Sequence, residues 1–238
     1  MQIYNLRALQ VWHARWPACR PYLIALFIFA LSRIDVILGV NLGAVFSHCG
    51  DASSWYEHLM KWDADWYRKI VTNGYFYTDD PAVQSSVADY PLYPLIAYGV
   101  KSIFHLDASL ALFLVANVAS LVLLFMMTKF VKDELGEQVS LLTVTLFFFF
   151  PSSLFLSAGY TESLCLTLIV LGLMLLTRRH FTLAAIAAGL AVGAHAKCIG
   201  LAPVIQWEMW QRSKQVSLIL ISRMTICGFL AVSGLLAY

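Results

Sequence analysis

The stretch SLALFLVANVASLVLLFMMTK, residues 109–129, decides the class of this protein. It stays apolar for the roughly 20 residues that a helix needs to cross a bilayer. Five more stretches read the same way: about 21–45, 139–157, 163–177, 181–204 and 216–238. Composition agrees. The 238-residue chain is 60% hydrophobic and 13% charged, with a mean hydropathy of +0.73, whereas soluble domains carry roughly a quarter charged residues. The expectation is an all-α, polytopic membrane helix bundle of about six to seven transmembrane helices. The first span is too long and too polar at its centre for a cleaved signal peptide, so it reads as a retained helix. Residues 1–20 are then a cytoplasmic N-terminal segment and 21–238 a transmembrane domain. The net charge of +2 is too small to suggest nucleic acid, and neither a Walker A loop nor a GxGxxG run is present. Cys19, Cys49, Cys165, Cys198 and Cys227 show no CxxC spacing and read as small apolar residues, with Cys49 the one candidate for oxidation.

Orientation follows from Lys and Arg. With Arg7, Arg15 and Arg20 inside, Lys129, Lys132, Arg178 and Arg179 also fall inside. The loop 46–108 falls outside, with eight acids against four Lys or Arg. Arg212 and Lys214 are expected outside, against the trend. Within the loop, Leu92 to Phe104 is apolar but short, is broken at its start by Pro91 and Pro94, and holds Lys101. It reads as an interfacial or re-entrant helix.

Four ionisable features stand out. Lys61-Trp62-Asp63-Ala64-Asp65-Trp66-Tyr67 wraps two carboxylates in aromatics, as sugar sites often do; the bland alternative is a solvated acidic loop. Glu162 follows Tyr160-Thr161 where two spans meet almost without a loop. It either faces an outer cavity or simply suits a helix N-terminus. His195-Ala196-Lys197 sits in the outer third of the fifth span. An ionisable group there is a functional candidate by default, against a lysine that snorkels to the headgroups. Arg33 and Asp35 lie mid-span, but residues two apart do not face each other on a helix. Arg33 therefore pairs with an acid on another helix or with a bound phosphate. One topology places Asp63, Glu162 and Lys197 on the same side.

These residues resemble a known family. Trp62-Asp63-(x)2-Trp66-Tyr67-(x)2-Ile70-(x)3-Gly74-Tyr75 looks like the first outer loop of the GT-C glycosyltransferases, closest to the second GPI-anchor mannosyltransferase and its bacterial relatives. Tyr90-Pro91-Leu92-Tyr93-Pro94 is similar to that family's Phe-Pro-Leu-Tyr-Pro. The run from Phe150-Pro151 to Ala158-Gly159-Tyr160-Thr161-Glu162-Ser163 matches its central motif, and order and spacing agree from about residue 23 to 205. Where the family has Thr-Arg-(x)2-Gly, this chain has Ala196-Lys197-Cys198-Ile199-Gly200; lysine keeps the charge and loses the bidentate fork. Family members are longer, so the chain reads as a truncated member or a stand-alone module.

The resemblance implies a membrane enzyme that takes a hexose, mannose by analogy, from a polyprenyl-phosphate donor to a lipid or glycan acceptor on the extracytoplasmic face. A bacterial inner membrane is favoured over the endoplasmic reticulum. The expected roles follow. Asp63 is the general base of an inverting attack, and Glu162 orients the acceptor or holds sugar hydroxyls. Lys197, with Arg33 or Arg223 in reserve, stabilises the leaving phosphate. Trp62, Trp66 and Tyr67 stack on sugar faces, and Asp65, Tyr160 and His195 join the sugar or acceptor site. No cofactor is required, though Asp63 and Asp65 form the pair that would hold a divalent metal. Two other classes stay open: a transporter or flippase, which usually shows repeat symmetry, and a non-catalytic subunit beside a second membrane protein.

Overall fold

The computed structural model describes residues 3–46, 55–80, 85–213 and 217–237. Cys49 and Lys214 lie outside the described residues, and so do the side chains of Arg7 and Arg15. Every regular element among the described residues is helical. The α-helices are α1 (Ile3–Phe46), α2 (Asp63–Asn73), α3 (Leu92–Phe104), α4 (Ala108–Leu135), α5 (Glu137–Phe148), α6 (Glu162–Thr177), α7 (Phe181–Ala194), α8 (Leu201–Gln211) and α9 (Leu218–Val232). Three are long and apolar enough to cross a membrane: Cys19–Phe46 within α1, Ala108–Leu135, and Leu218–Leu236, which is α9 with the 3-10 turn after it. The apolar helices α3, α5, α6 and α7 are shorter.

Two expected spans are not single helices. The stretch 139–157 ends as a helix at Phe148 and continues as a 3-10 turn over Pro151–Leu156. Pro151 disfavours the helical conformation for the residue before it, and Phe150 is extended (φ −67°, ψ 141°). The stretch 181–204 breaks at His195, which is also extended (φ −162°, ψ 132°). The chain then makes a 3-10 turn, Ala196–Gly200, before α8. Pro203 lies in the first turn of α8, where the N–H that it lacks is not needed.

The break reverses the chain. Leu201 reaches Gly172 in the middle of α6, and Met209 reaches the cavity shared with Arg179 and Thr182 at the α6–α7 turn. α8 therefore runs back toward the basic end and brings Arg212 with it, which corrects the expected outer position of Arg212. α9 climbs again from Arg223 and Cys227, beside that turn, to Gly234, beside Gly193. Here the backbones touch. A Cβ on Gly234 would lie 2.2 Å from the Gly189 carbonyl oxygen, so only glycine fits against the face of α7 that carries Gly189 and Gly193. At the far end of the bundle the Lys132 ammonium sits over the Tyr22 ring at 5.7 Å, which levels the start of the apolar part of α1 with the end of α4. Arg20, Lys129, Lys132, Arg178, Arg179 and Arg212 share that end, the inner end below; the opposite end is the outer one.

The outer loop folds against the bundle. α2 is amphipathic, burying Ala64, Tyr67, Ile70 and Val71 at helical spacing. These pack with Tyr93 and Ala97 of α3, Leu112 and Val115 of α4, Val36 of α1 and Tyr160. α3 has 13 residues, about 20 Å, too short to cross a hydrocarbon core of about 30 Å. Its Lys101 donates to the Val71 carbonyl at 3.3 Å, which ties it to α2.

Candidate active site

The site forms where three helix interruptions meet at the outer end. The first is the start of α2. Trp62 lies at φ 50°, in the left-handed region that disfavours a side chain, and the residue is 74% exposed. The turn is held from below. Tyr160 donates its hydroxyl to the Lys61 carbonyl at 3.0 Å. A Cβ on Gly159 would lie 2.6 Å from the Met60 sulfur, so the chain packs closely here. Asp63 thus opens α2 beside the Gly159-Tyr160-Thr161-Glu162 segment. It is exposed, in the first turn, where the helix dipole favours an acid.

Glu162 opens α6 in the same way. Its Oε2 is buried with no hydrogen-bond partner among the described residues. It also lines a cavity of about 500 Å³ whose other residues include Leu146, Phe147, Phe155 and Leu166. The third interruption is at His195. Its Nδ1 accepts from the Lys197 N–H at 3.3 Å, and its ring stacks on Tyr90 at 6.4 Å and 6°. Lys197 is exposed on this turn and near enough to Glu162 for their charges to interact; Asp63 acts on both Glu162 and His195. The structure therefore brings Asp63, Glu162, Lys197, His195 and Tyr160 together.

Other expected residues are placed differently. Both carboxylate oxygens of Asp65 are taken, one by Arg68 and the other by Lys69 at 2.9 Å. Burial pushes its carboxyl up, but hydrogen bonds and charge from Lys69 and Arg68 outweigh this and hold it below the usual value. Asp65 thus spends its carboxylate on its own helix, with Arg68 and Lys69. No group of three or more His, Cys, Asp or Glu among the described residues is arranged to hold a metal. Tyr67 is buried under α2 and edge-on to Tyr93 at 5.3 Å, so it has no open face for a sugar. Its hydroxyl bonds to Thr161, and burial together with Asp89, Glu162 and Asp63 pushes it above its ordinary value. Trp66 is covered by the Lys69 ammonium at 4.5 Å, which leaves Trp62 as the open aromatic of the three. Burial with Asp63 and Glu162 nearby pushes the Tyr160 hydroxyl up to about 12.

Arg33 meets neither an acid nor, in the first instance, the cleft. It donates to Ser157 Oγ and, at 3.4 Å, to Asn117 Oδ1, while Asn117 Nδ2 donates to the Ser157 carbonyl at 3.0 Å. The Phe29 ring lies under the guanidinium at 4.7 Å, and Nη2 is buried without a partner. This node fixes Ser157, two residues before Gly159. Arg223 is at the wrong end: it lines a cavity with Arg179 and His180, separated from Glu162 by the length of α6, 16 residues or about 24 Å. It cannot serve the cleft.

The structure adds Asp89, which hydropathy and motif reading passed over. It ends the loop ahead of Pro91, with its carbonyl accepting from the Tyr75 hydroxyl at 2.9 Å. Burial, with the charge of Asp63, pushes its carboxyl up to about 6. The signal was its position immediately before Tyr90-Pro91. Asn117 was signalled more plainly, as an amide inside an apolar span.

No curated protein and no solved structure matches the chain. A family model does, that of the mannosyltransferase (PIG-V) family, over residues 42–233. The match takes in α2, the Tyr90-Pro91 segment, the Glu162 segment and the Lys197 turn, all the parts from which the cleft is built. The chain thus belongs to the mannosyltransferase (PIG-V) family and is a membrane glycosyltransferase.

Proposed function

We propose that the protein transfers a hexose, mannose by family, from a polyprenyl-phosphate donor to a hydroxyl acceptor at the extracytoplasmic face, with inversion. The observation that carries this reading is that Asp63 and Lys197, from two other elements, both lie near enough to Glu162 for their charges to act on it. Asp63 takes the acceptor's proton as its oxygen attacks the anomeric carbon. The bond to the lipid phosphate breaks, and the phosphate leaves as an anion that needs positive charge rather than a proton. Lys197 supplies that charge. Glu162, with one oxygen free, holds acceptor or sugar hydroxyls, and Trp62 offers the sugar its exposed ring. The apolar cavity that Glu162 borders suits the start of a lipid chain.

The test is transfer from radiolabelled polyprenyl-phosphate mannose in membranes containing the chain. Asp63→Asn is expected to lower the rate by about 10²–10⁴-fold. A rate close to wild type would rule out the base role. Retention of configuration in the product would overturn the single-displacement scheme.

A further inference from the structure

The end of the bundle opposite the cleft holds a second concavity of about 280 Å³, between the α6–α7 turn, the end of α8 and the start of α9. Arg179, His180, Thr182 and Arg223 line it, with Met209 and Ile226 among its apolar residues. No Asp or Glu lines it. Neither Arg179 nor Arg223 enters an ion pair among the described residues, and Glu208, the acid of α8, is held by Arg212.

The backbone of the turn adds a second observation. The Arg179 N–H donates to the Leu176 carbonyl and the His180 N–H to the Leu175 carbonyl, both at 2.9 Å. This is the pattern that closes a helix with a left-handed residue, a place strongly favouring glycine. Here the residue is Arg179, at φ 63°. An L side chain is strained there, and the side chain present is one that lines the cavity.

We propose that this cleft binds the phosphate group of an anionic membrane lipid in the cytoplasmic leaflet. Two guanidinium groups from different elements can each fork two phosphate oxygens. Basic pockets between helices at the cytoplasmic side suit such headgroups, and the basic end of this bundle faces that side. The size fits a headgroup rather than a whole lipid, and the apolar residues meet its glycerol and first methylenes. The proposal does not depend on the transfer reaction.

The full chain in nanodiscs tests it. Adding phosphatidylglycerol to phosphatidylcholine is expected to raise Tm by about 4 °C and to leave phosphatidylglycerol bound in native mass spectra. Arg179→Gly relieves the turn, so its fold is retained, yet it should lose most of that shift; Arg223→Gln should lose it too. Arg20→Gln, elsewhere at the same end, should keep it. A shift equal in Arg179→Gly, Arg223→Gln and wild type would overturn the proposal in favour of diffuse surface charge. So would the absence of a shift in wild type. An equal, Arg179-dependent shift from inorganic phosphate in phosphatidylcholine alone would overturn the lipid assignment.

Discussion

At the outer end, Asp63, Asp89 and Glu162 are carboxylates without an ion pair among the described residues; at the inner end, Arg179 and Arg223 are cations without one. Paired charges exist nearby in both places, Asp65 with Arg68 and Lys69 outside, and Arg212 with Glu208 inside. The difference within each end is therefore between charges paired along a helix surface and charges left without an ion pair among the described residues. The two ends also differ in how the latter are held. Outside, they stand on interruptions: a left-handed Trp62, an extended His195, a proline turn. Inside, Arg179 stands on an ordinary helix stop that favours another residue type, and Arg223 stands within the regular helix α9.

The sharpest way to break this contrast is at Lys197. Lys197→Ala is expected to lower transfer by about 10²-fold, as loss of a positioned charge at a leaving group does. Lys197→Arg should recover it through the fork that lysine lacks. Equal loss in both variants, measured with the same labelled donor, would mean that the turn and not the charge matters.

Asp89 gives a smaller effect of opposite sign. Its folded-state value of about 6 stands above the ordinary 3.8. The folded chain thus holds an extra proton between these values, and ionisation above pH 6 destabilises it. Asp89→Asn should be more stable than wild type at pH 7.5, by about 1–2 kcal/mol after allowing for partial solvent screening. The gain should shrink below pH 6 and vanish near pH 4. Thermal melts across that range check it, and a gain independent of pH would assign the effect to packing.

The smallest effect belongs to a paired charge. Arg212→Gln removes an exposed i,i+4 pair with Glu208 and should change stability by about 0.5 kcal/mol or less, with transfer unchanged. A large loss on either measure would erase the distinction between charges paired along a helix and charges left without an ion pair.

Much of the outer end was legible in the sequence because it is written in short spacings. Asp63 follows Trp62, Glu162 follows Tyr160-Thr161, and Lys197 sits in a span where no charge belongs. The direction of the chain after His195 was not legible from hydropathy, which records how apolar a stretch is and not where it turns. Tyr67 and Asp65 were misplaced for a related reason. A loop reading gives every side chain the same freedom, whereas α2 turns Tyr67 into the core and sets Asp65 beside Arg68 and Lys69. Asp89 meets Asp63 only through the tertiary fold.

Arg33 bears on how the protein is made. Its partner Ser157 comes 124 residues later in the chain. At about 5–20 residues per second of synthesis, the wait is on the order of 6–25 s. During it, α1 carries an arginine that opposes entry into lipid by about 3 kcal/mol at a span's centre. A mid-span arginine thus meets its partners in two steps, Asn117 first, 84 residues on, and then Ser157 with the segment that leads into Glu162.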